Sequence, residues 1–461
     1  MYNLKRGQIL LLLLYEDKSG HLLQTPEDVA GTWREFLSKK FEPTEEENAR
    51  PAMEALPKTF DPITKKEFES AVKKLNLGKA TGPDGVPAVV FKACPAIKEE
   101  LFNLIQYMWS EEVVPVNFAT AKFRMLFKGK VSNNDPSKYR CIALLNHAYK
   151  VLSYILLGRI INISEEFLKD WQAGFRGHRG CRDNSMTLKV LCDRVMALGK
   201  SLTAVFIDYR AAFDSVSHKY VDTALKRAGA STKARAMFRA IYKAAAAFTE
   251  VSGTDGKKSR CDNFGIGRGV LQGDITSPLF FIMALELIMR THDAENPQKG
   301  VNLADTIIHI LGYADDAVIL EDGTPNGVQQ ITERVNSISQ GSKQDADMLL
   351  NTDKTVVMHV RAQEEVPPAT QAEAREVCKF TCPHLNCGYV FASKAGMLVH
   401  AGGCEWKDEF EVDFITNHRG PITARQYNIR WKTYSADFDH VTLTHGSQGE
   451  TYTQSLSRNT S

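Results

Sequence analysis

Neither sign of charge dominates this 461-residue chain: 57 Lys and Arg stand against 55 Asp and Glu, a net charge of +2. That excludes a uniformly basic surface able to hold a polyanion by charge alone, so any basic groove must be local. Long apolar runs are also missing. Ile9 to Leu14 is far short of the roughly 20 residues that span a bilayer, and it reads as a buried strand. Tyr15-Glu16-Asp17-Lys18 follows it where a secretory signal needs small residues for cleavage, so an intracellular protein of cytoplasm and nucleus is expected. Cysteine is sparse. Cys94, Cys141, Cys181, Cys192 and Cys261 show no paired spacing and read as reduced thiols, which argues against a disulfide-built fold. No internal repeat is present, so a solenoid is excluded. What remains is an ordinary globular composition, long enough for roughly two to four domains.

Along the chain, residues 1–60 mix short apolar runs with charge, and Glu45-Glu46-Glu47, Pro51 and Pro57 suggest a solvent-facing connector. Thr64 with Glu67 three residues on signals a helix start. Residues 90–200 read as mostly helical, with a strand at Phe123–Phe127. From 203 to 360 strands and helices mix: Ala204–Ile207 is a short strand and Pro278–Met289 an apolar helix. Gln363-Glu364-Glu365-Val366-Pro367-Pro368 marks a linker, and the Ser-, Thr- and Gly-rich end reads as disordered.

Three acids carry the chemistry. Asp208 ends the Ala204–Ile207 strand, and Asp315 and Asp316 lie in the turn Tyr313-Ala314-Asp315-Asp316 between apolar flanks. Phosphoryl transfer by two divalent metals needs hard carboxylate oxygens from separate segments, on rigid strand ends, around ions about 3.5–4 Å apart. The bland alternative is that aspartates are common in turns.

The order of motifs around these acids decides between the two. Tyr313-Ala314-Asp315-Asp316 resembles the third palm motif of reverse transcriptases. Phe206-Ile207-Asp208-Tyr209-Arg210-Ala211-Ala212-Phe213-Asp214-Ser215-Val216 resembles the first palm motif of non-LTR, LINE-type elements. Gly269-Val270-Leu271-Gln272-Gly273-Asp274-Ile275-Thr276-Ser277-Pro278 is similar to the second. Tyr139-Arg140-Cys141-Ile142-Ala143-Leu144-Leu145 and Gln172-Ala173-Gly174-Phe175-Arg176 resemble fingers segments, and Asn351-Thr352-Asp353-Lys354-Thr355 the motif after the acidic turn.

The resemblance implies an RNA-directed DNA polymerase of α+β class, a right hand of fingers (61–200) and palm (201–361) with an antiparallel palm sheet. It implies that Asp208, Asp315 and Asp316 bind magnesium or manganese, that the Phe213 ring excludes a ribose 2′-hydroxyl, and that Gln272 and Gly273 lie beside the new base pair. Lys128 and Arg140 are candidates for the triphosphate, with solvated surface as the alternative. Lys354 is a candidate proton donor to pyrophosphate or a structural salt bridge. Two departures stand out: Asp274 adds charge near the site where a small residue is common, and Cys141 stands where proline is frequent. RNA template, DNA primer or target, and deoxynucleotides are the implied partners, with no membrane.

Cys382, Cys387, His400 and Cys404 follow the spacing C-x4-C-x12-H-x3-C, which suits tetrahedral zinc in a finger at 378–405 after a linker at 362–377; a reduced cysteine-rich loop is the alternative. Residues 408–446 resemble a chromodomain, in which Phe410, Trp431 and Tyr434 match a methyl-lysine cage for methylated histone tails. Strand core is the other reading of Phe410 and Trp431, and residues 447–461 form the disordered tail. No thumb or endonuclease is recognised in the sequence, so an incomplete polymerase is expected. The rivals are a catalytically inactive, retroelement-derived nucleic-acid or chromatin binder, and an RNA-dependent RNA polymerase, against which Phe213 argues.

Overall fold

The computed structural model describes residues 25–129, 135–252, 258–293, 300–303 and 306–361, with the backbone of short strands further on. Helix α1 (Pro26–Phe41) begins at Thr25, whose hydroxyl accepts the Asp28 N–H. Val29, Trp33, Leu37 and Phe41 recur every fourth residue and are buried. Trp33 meets Tyr139 edge-on with centroids 5.3 Å apart. Residues 51–60 are mostly exposed and without regular structure, but over Pro26–Phe41 the solvent-facing connector expected for the first 60 residues is corrected. Its charges are the wet face of an amphipathic helix whose other face is core.

Helix α2 (Lys65–Lys74) carries the capping box that Thr64 and Glu67 announced. Then come strands β1 (Thr120–Phe127) and β2 (Tyr139–Leu144), helices α3 (His147–Phe167) and α4 (Cys181–Ala197), and strands β3 (Ser201–Ile207) and β4 (Ala246–Ser252). Helix α5 (Ser277–His292), strands β5 (Ile310–Tyr313) and β6 (Asp316–Asp322), helix α6 (Pro325–Ala346) and strand β7 (Val356–Arg361) follow.

Two sheets organise these elements. In the first, β1 pairs antiparallel with β2 and parallel with β4. The second runs β7-β3-β6-β5 and every pairing in it is antiparallel. β3 is buried along most of its length, which suits its run of Ala, Val, Phe and Ile. Helix α5 is buried from Leu279 to Met289 and lies against α6, which also packs on β6. Helix α6, backed by α5, thus covers one face of β3 and β6.

Beyond β7, the backbone at Phe380–Thr381 and Tyr389–Phe391 forms a hairpin that extends the second sheet through β7. Val412–Arg419 pairs with Gln426–Trp431. Val441–Thr442 pairs with Ser455–Leu456, and the second of these strands falls inside the 447–461 stretch expected to be disordered. Cys382, Cys387, His400, Cys404, Phe410 and Tyr434 lie outside the described residues, as does the side chain of Trp431. The apolar run Ile9–Leu14 also lies outside them. Among the described residues no helix is long and apolar enough to cross a membrane.

Candidate active site at the acidic hairpin

The register of β6 on β3 pairs Ala317 with Ile207, so one further step sets Asp316 opposite Asp208. Residues directly opposite in an antiparallel pair point to the same face, with Cβ atoms about 4.5–5.5 Å apart. Asp315 sits in the two-residue turn joining β5 to β6, after Ala314 at φ +57°. Burial raises the pKa of Asp315, and the charges of Asp316 and Asp208 raise it further. Burial raises Asp316 as well, again helped by Asp208, with Lys354 opposing. Segments more than 100 residues apart in sequence thus place mutually repelling acids within electrostatic reach.

Asp208 is engaged from the other side. Asn351 Nδ2 donates to its Oδ2 at 2.8 Å, and Lys354 Nζ lies 3.2 Å from the same oxygen. The Asn351 N–H also donates to the Asp208 carbonyl at 2.7 Å. Lys354 is therefore an ion-pair partner of Asp208 in this packing, one of the two readings its position allowed. Among the described residues no group of three or more His, Cys, Asp or Glu side chains is gathered in metal-holding geometry. The chemistry of the donor set nonetheless fits divalent cations: hard carboxylate oxygens whose mutual repulsion a cation would relieve.

The turn is held from behind by residues whose roles the sequence did not reveal. Gln172, fully buried, accepts the Ala314 N–H at 2.9 Å and donates to the Ala314 carbonyl at 3.0 Å. Asn184 Nδ2 donates to the carbonyls of Gly312 at 2.6 Å and Trp171 at 3.1 Å. Gly174 permits this approach, since a Cβ there would lie 2.2 Å from the Ala314 nitrogen. The sequence marked both the Gln172–Arg176 motif and the turn that holds Ala314, but nothing in it showed that the two meet.

Phe213 follows Asp208 on the same segment. Its ring stacks on Phe281 with centroids 4.4 Å apart and meets Phe175 edge-on at 6.0 Å. Its carbonyl accepts the Val270 N–H at 2.7 Å, which ties the first and second motifs together. Gln272 reaches the first sheet through its carbonyl, which accepts the Ala143 N–H at 2.7 Å. Gly273 has φ +126°, and a Cβ there would lie 2.5 Å from the Ala143 oxygen, so only glycine fits this contact. Lys128 and Arg140 both stand on the exposed side of the first sheet. Burial lowers the pKa of Lys128, and the neighbouring charges of Lys40 and Arg140 lower it further. Lys40 of α1, another group the sequence reading passed over, pairs with Asp214 at 2.6 Å beside Phe213.

The two departures from the family pattern are structural. Asp274, expected to add charge near the site, is instead buried. It accepts from Ser153 Oγ at 2.9 Å, Thr276 Oγ1 at 2.6 Å and the Ile275 N–H at 2.7 Å. Burial raises its pKa, which these donors offset. Its carboxyl pins the second motif to α3 rather than facing outward. Cys141 is buried, with its thiol pushed up to about 11 by burial. Its Sγ lies 3.9 Å from Lys40 Nζ, and burial disfavours the thiolate that would make it nucleophilic.

Comparison with known proteins agrees with this arrangement. A family model described as "Reverse transcriptase (RNA-dependent DNA polymerase)" matches residues 129–406, more than half of the chain. The "Retrovirus-related Pol polyprotein from type-1 retrotransposable element R2" of Nasonia vitripennis is 28% identical over 259 residues, covering 56% of this chain and 24% of that protein. Its counterpart from Popillia japonica is 28% identical over 267 residues, 57% of this chain and 35% of that one. The "Retrovirus-related Pol polyprotein from type-2 retrotransposable element R2DM" of Drosophila melanogaster is 25% identical over 310 residues, 67% and 27% respectively. The chain spans about a quarter to a third of the length of these relatives. The matched stretch takes in the whole β7-β3-β6-β5 sheet with its acidic hairpin, and the chain belongs to the reverse transcriptase family.

Proposed function

We propose that this chain is the RNA-directed DNA polymerase portion of a non-LTR retrotransposon protein, copying RNA into DNA by nucleotidyl transfer at Asp208, Asp315 and Asp316. The observation that carries this reading is the pairing of β3 with β6, which brings Asp208 opposite Asp316 at the mouth of one sheet. Magnesium or manganese held there would activate the primer 3′-hydroxyl and neutralise the departing pyrophosphate. The chain's own groups do the rest. Asp208 and Asp315 supply ligand oxygens, and Asp316 supports them from the adjoining strand. Lys354, the ion-pair partner of Asp208, would donate a proton to the leaving pyrophosphate, a reading its nearness to that carboxylate supports. Lys128 and Arg140 draw in the triphosphate from the first sheet. Fingers at 61–200 and palm at 201–361 follow from this reading.

The same reading assigns zinc to Cys382, Cys387, His400 and Cys404. It assigns a chromodomain-like fold to 408–446, with Phe410, Trp431 and Tyr434 as a cage for methylated histone tails. These modules direct the polymerase to nuclear nucleic acid. The ligand spacing and the aromatic content support them.

Phe213 sets the sugar preference. Its ring stacks on Phe281 and meets Phe175 edge-on, contacts that support a fixed wall against a 2′-hydroxyl. Phe213→Val should raise ribonucleotide incorporation relative to deoxynucleotide by roughly 10–100-fold, the range expected when a pocket wall recedes by a few carbons. Competitive primer extension on an RNA template measures the ratio. RNA-templated deoxynucleotide addition by the wild type, with the ratio shifted in the variant, is the expected result. Preferential incorporation of ribonucleotides by the wild type would contradict the assignment.

A further inference from the structure

We infer that Gln172 is a positioning residue for the acidic turn: its carboxamide sets the backbone from which Asp315 and Asp316 project, and so tunes the divalent-cation affinity of the site. The inference rests on the metal-centre reading above and deepens it. Ala314 occupies the left-handed region at φ +57°, where residues with a side chain rarely sit. Such a conformation persists only where its surroundings over-determine it. Gln172 supplies that determination from both sides of one residue, accepting from the Ala314 N–H and donating to its carbonyl. The carbonyl belongs to the peptide that begins Asp315, so fixing it fixes the direction in which that acid leaves the turn.

The glutamine is itself fixed. Its Oε1 accepts a further bond from the Gly174 N–H at 2.8 Å. The backbone around it runs beside β5 as an added parallel bridge: Ala173 N–H donates to the Gly312 carbonyl, and Gly312 N–H to that of Trp171, both at 2.8 Å. A carboxamide is suited to this place because it donates and accepts at once, as a peptide group does. A carboxylate or an apolar chain of equal length keeps the volume and loses at least one of the two bonds. None of these atoms touches a carboxylate of the site, so the effect is carried through backbone direction alone. Partners of this kind, one step removed from the ligands, typically change metal affinity by about 10–100-fold when lost.

The test uses the full chain and Mn2+ as the probe, with no template or nucleotide present. Free Mn2+ is followed by electron paramagnetic resonance during titration of wild type, Gln172→Met, Gln172→Ala and Asp315→Asn, and each variant's thermal midpoint is taken in chelator. Gln172→Met keeps the packing volume but leaves three buried backbone groups unpaired, so its thermal midpoint should fall by a few degrees, and Mn2+ binding measured well below that midpoint, where the variant is folded, should weaken about tenfold. Gln172→Ala should weaken binding at least as much. The metal concentration for half-maximal primer extension should move in parallel, which a purely structural role would not produce. Wild-type binding that is lost in Asp315→Asn but unchanged in both Gln172 variants overturns this inference and leaves the metal centre standing. Absence of Mn2+ binding by the wild type overturns both.

Discussion

Asp315→Asn should abolish nucleotide incorporation, by at least ~10³-fold or about 4 kcal/mol of transition-state stabilisation, and at the same time make the protein harder to unfold in chelator. The two effects share one cause. Burial and the neighbouring acids raise the pKa of Asp315 and Asp316 in the folded chain above their unfolded values. A carboxylate raised in this way contributes stability while it is protonated, below its unfolded pKa. That contribution is lost as pH rises through its folded pKa. Near neutral pH the ionised pair therefore works against the fold, and cations would relieve it. Asparagine removes one of the charges while keeping the shape. In chelator the variant should melt higher than wild type by roughly 1–3 °C, and the gap should close as pH falls. Added Mg2+ should raise the wild-type midpoint and leave the variant nearly unmoved. Differential scanning calorimetry across pH, with and without Mg2+, measures all of this. A variant that melts lower than wild type in chelator would remove the electrostatic argument.

Arg334→Met should be among the most destabilising single changes in the chain, at about 3–5 kcal/mol. Arg334, on α6, is buried and its guanidinium is fully bonded. It donates to Asp293 at 2.6 and 2.8 Å, to Glu321 at 3.0 Å, and to the carbonyls of Leu320 at 2.9 Å and His309 at 3.1 Å. One side chain thus joins the end of α5, the end of β6 and the residue preceding β5. Both acids are almost wholly buried, so removing the cation strands two charges in a medium that cannot solvate them. The cost comes from stranding and not from the net worth of the bridge. Asp293→Asn with Glu321→Gln in the Arg334→Met background should therefore recover much of the loss. Urea denaturation of the three proteins measures it. A single-variant loss under about 1 kcal/mol would show that water reaches this cluster.

How much of this could be read in the sequence depended on how local the cause was. The capping box at Thr64, the strand before Asp208 and the apolar hairpin around Asp315 and Asp316 were legible, because spacing and side-chain type within a few residues decide them. Helix α1 had its signal too, in Val29, Trp33, Leu37 and Phe41. Its charged face and the prolines and glutamates after it read as a connector instead. Asp274 was misjudged because nothing near it reveals its burial. Ser153 and Tyr149, which meet its carboxyl, lie 121 and 125 residues upstream. Gln172 was visible as part of a motif, but its partner Ala314 is 142 residues away, and no periodicity reports a contact across that distance. Lys40 reaches Asp214 in the same non-local way. Local pattern thus specified the elements and the acids, while the groups that aim those acids emerged only from tertiary packing.

The claim that the β3–β6 pairing builds a nucleotidyl-transfer centre is tested most directly by single-turnover addition of one deoxynucleotide to a DNA primer on an RNA template in Mg2+, comparing wild type with Asp208→Asn. Addition directed by the template in the wild type, reduced to background in a variant that remains folded, is the predicted result. Equal rates in the two proteins would contradict it.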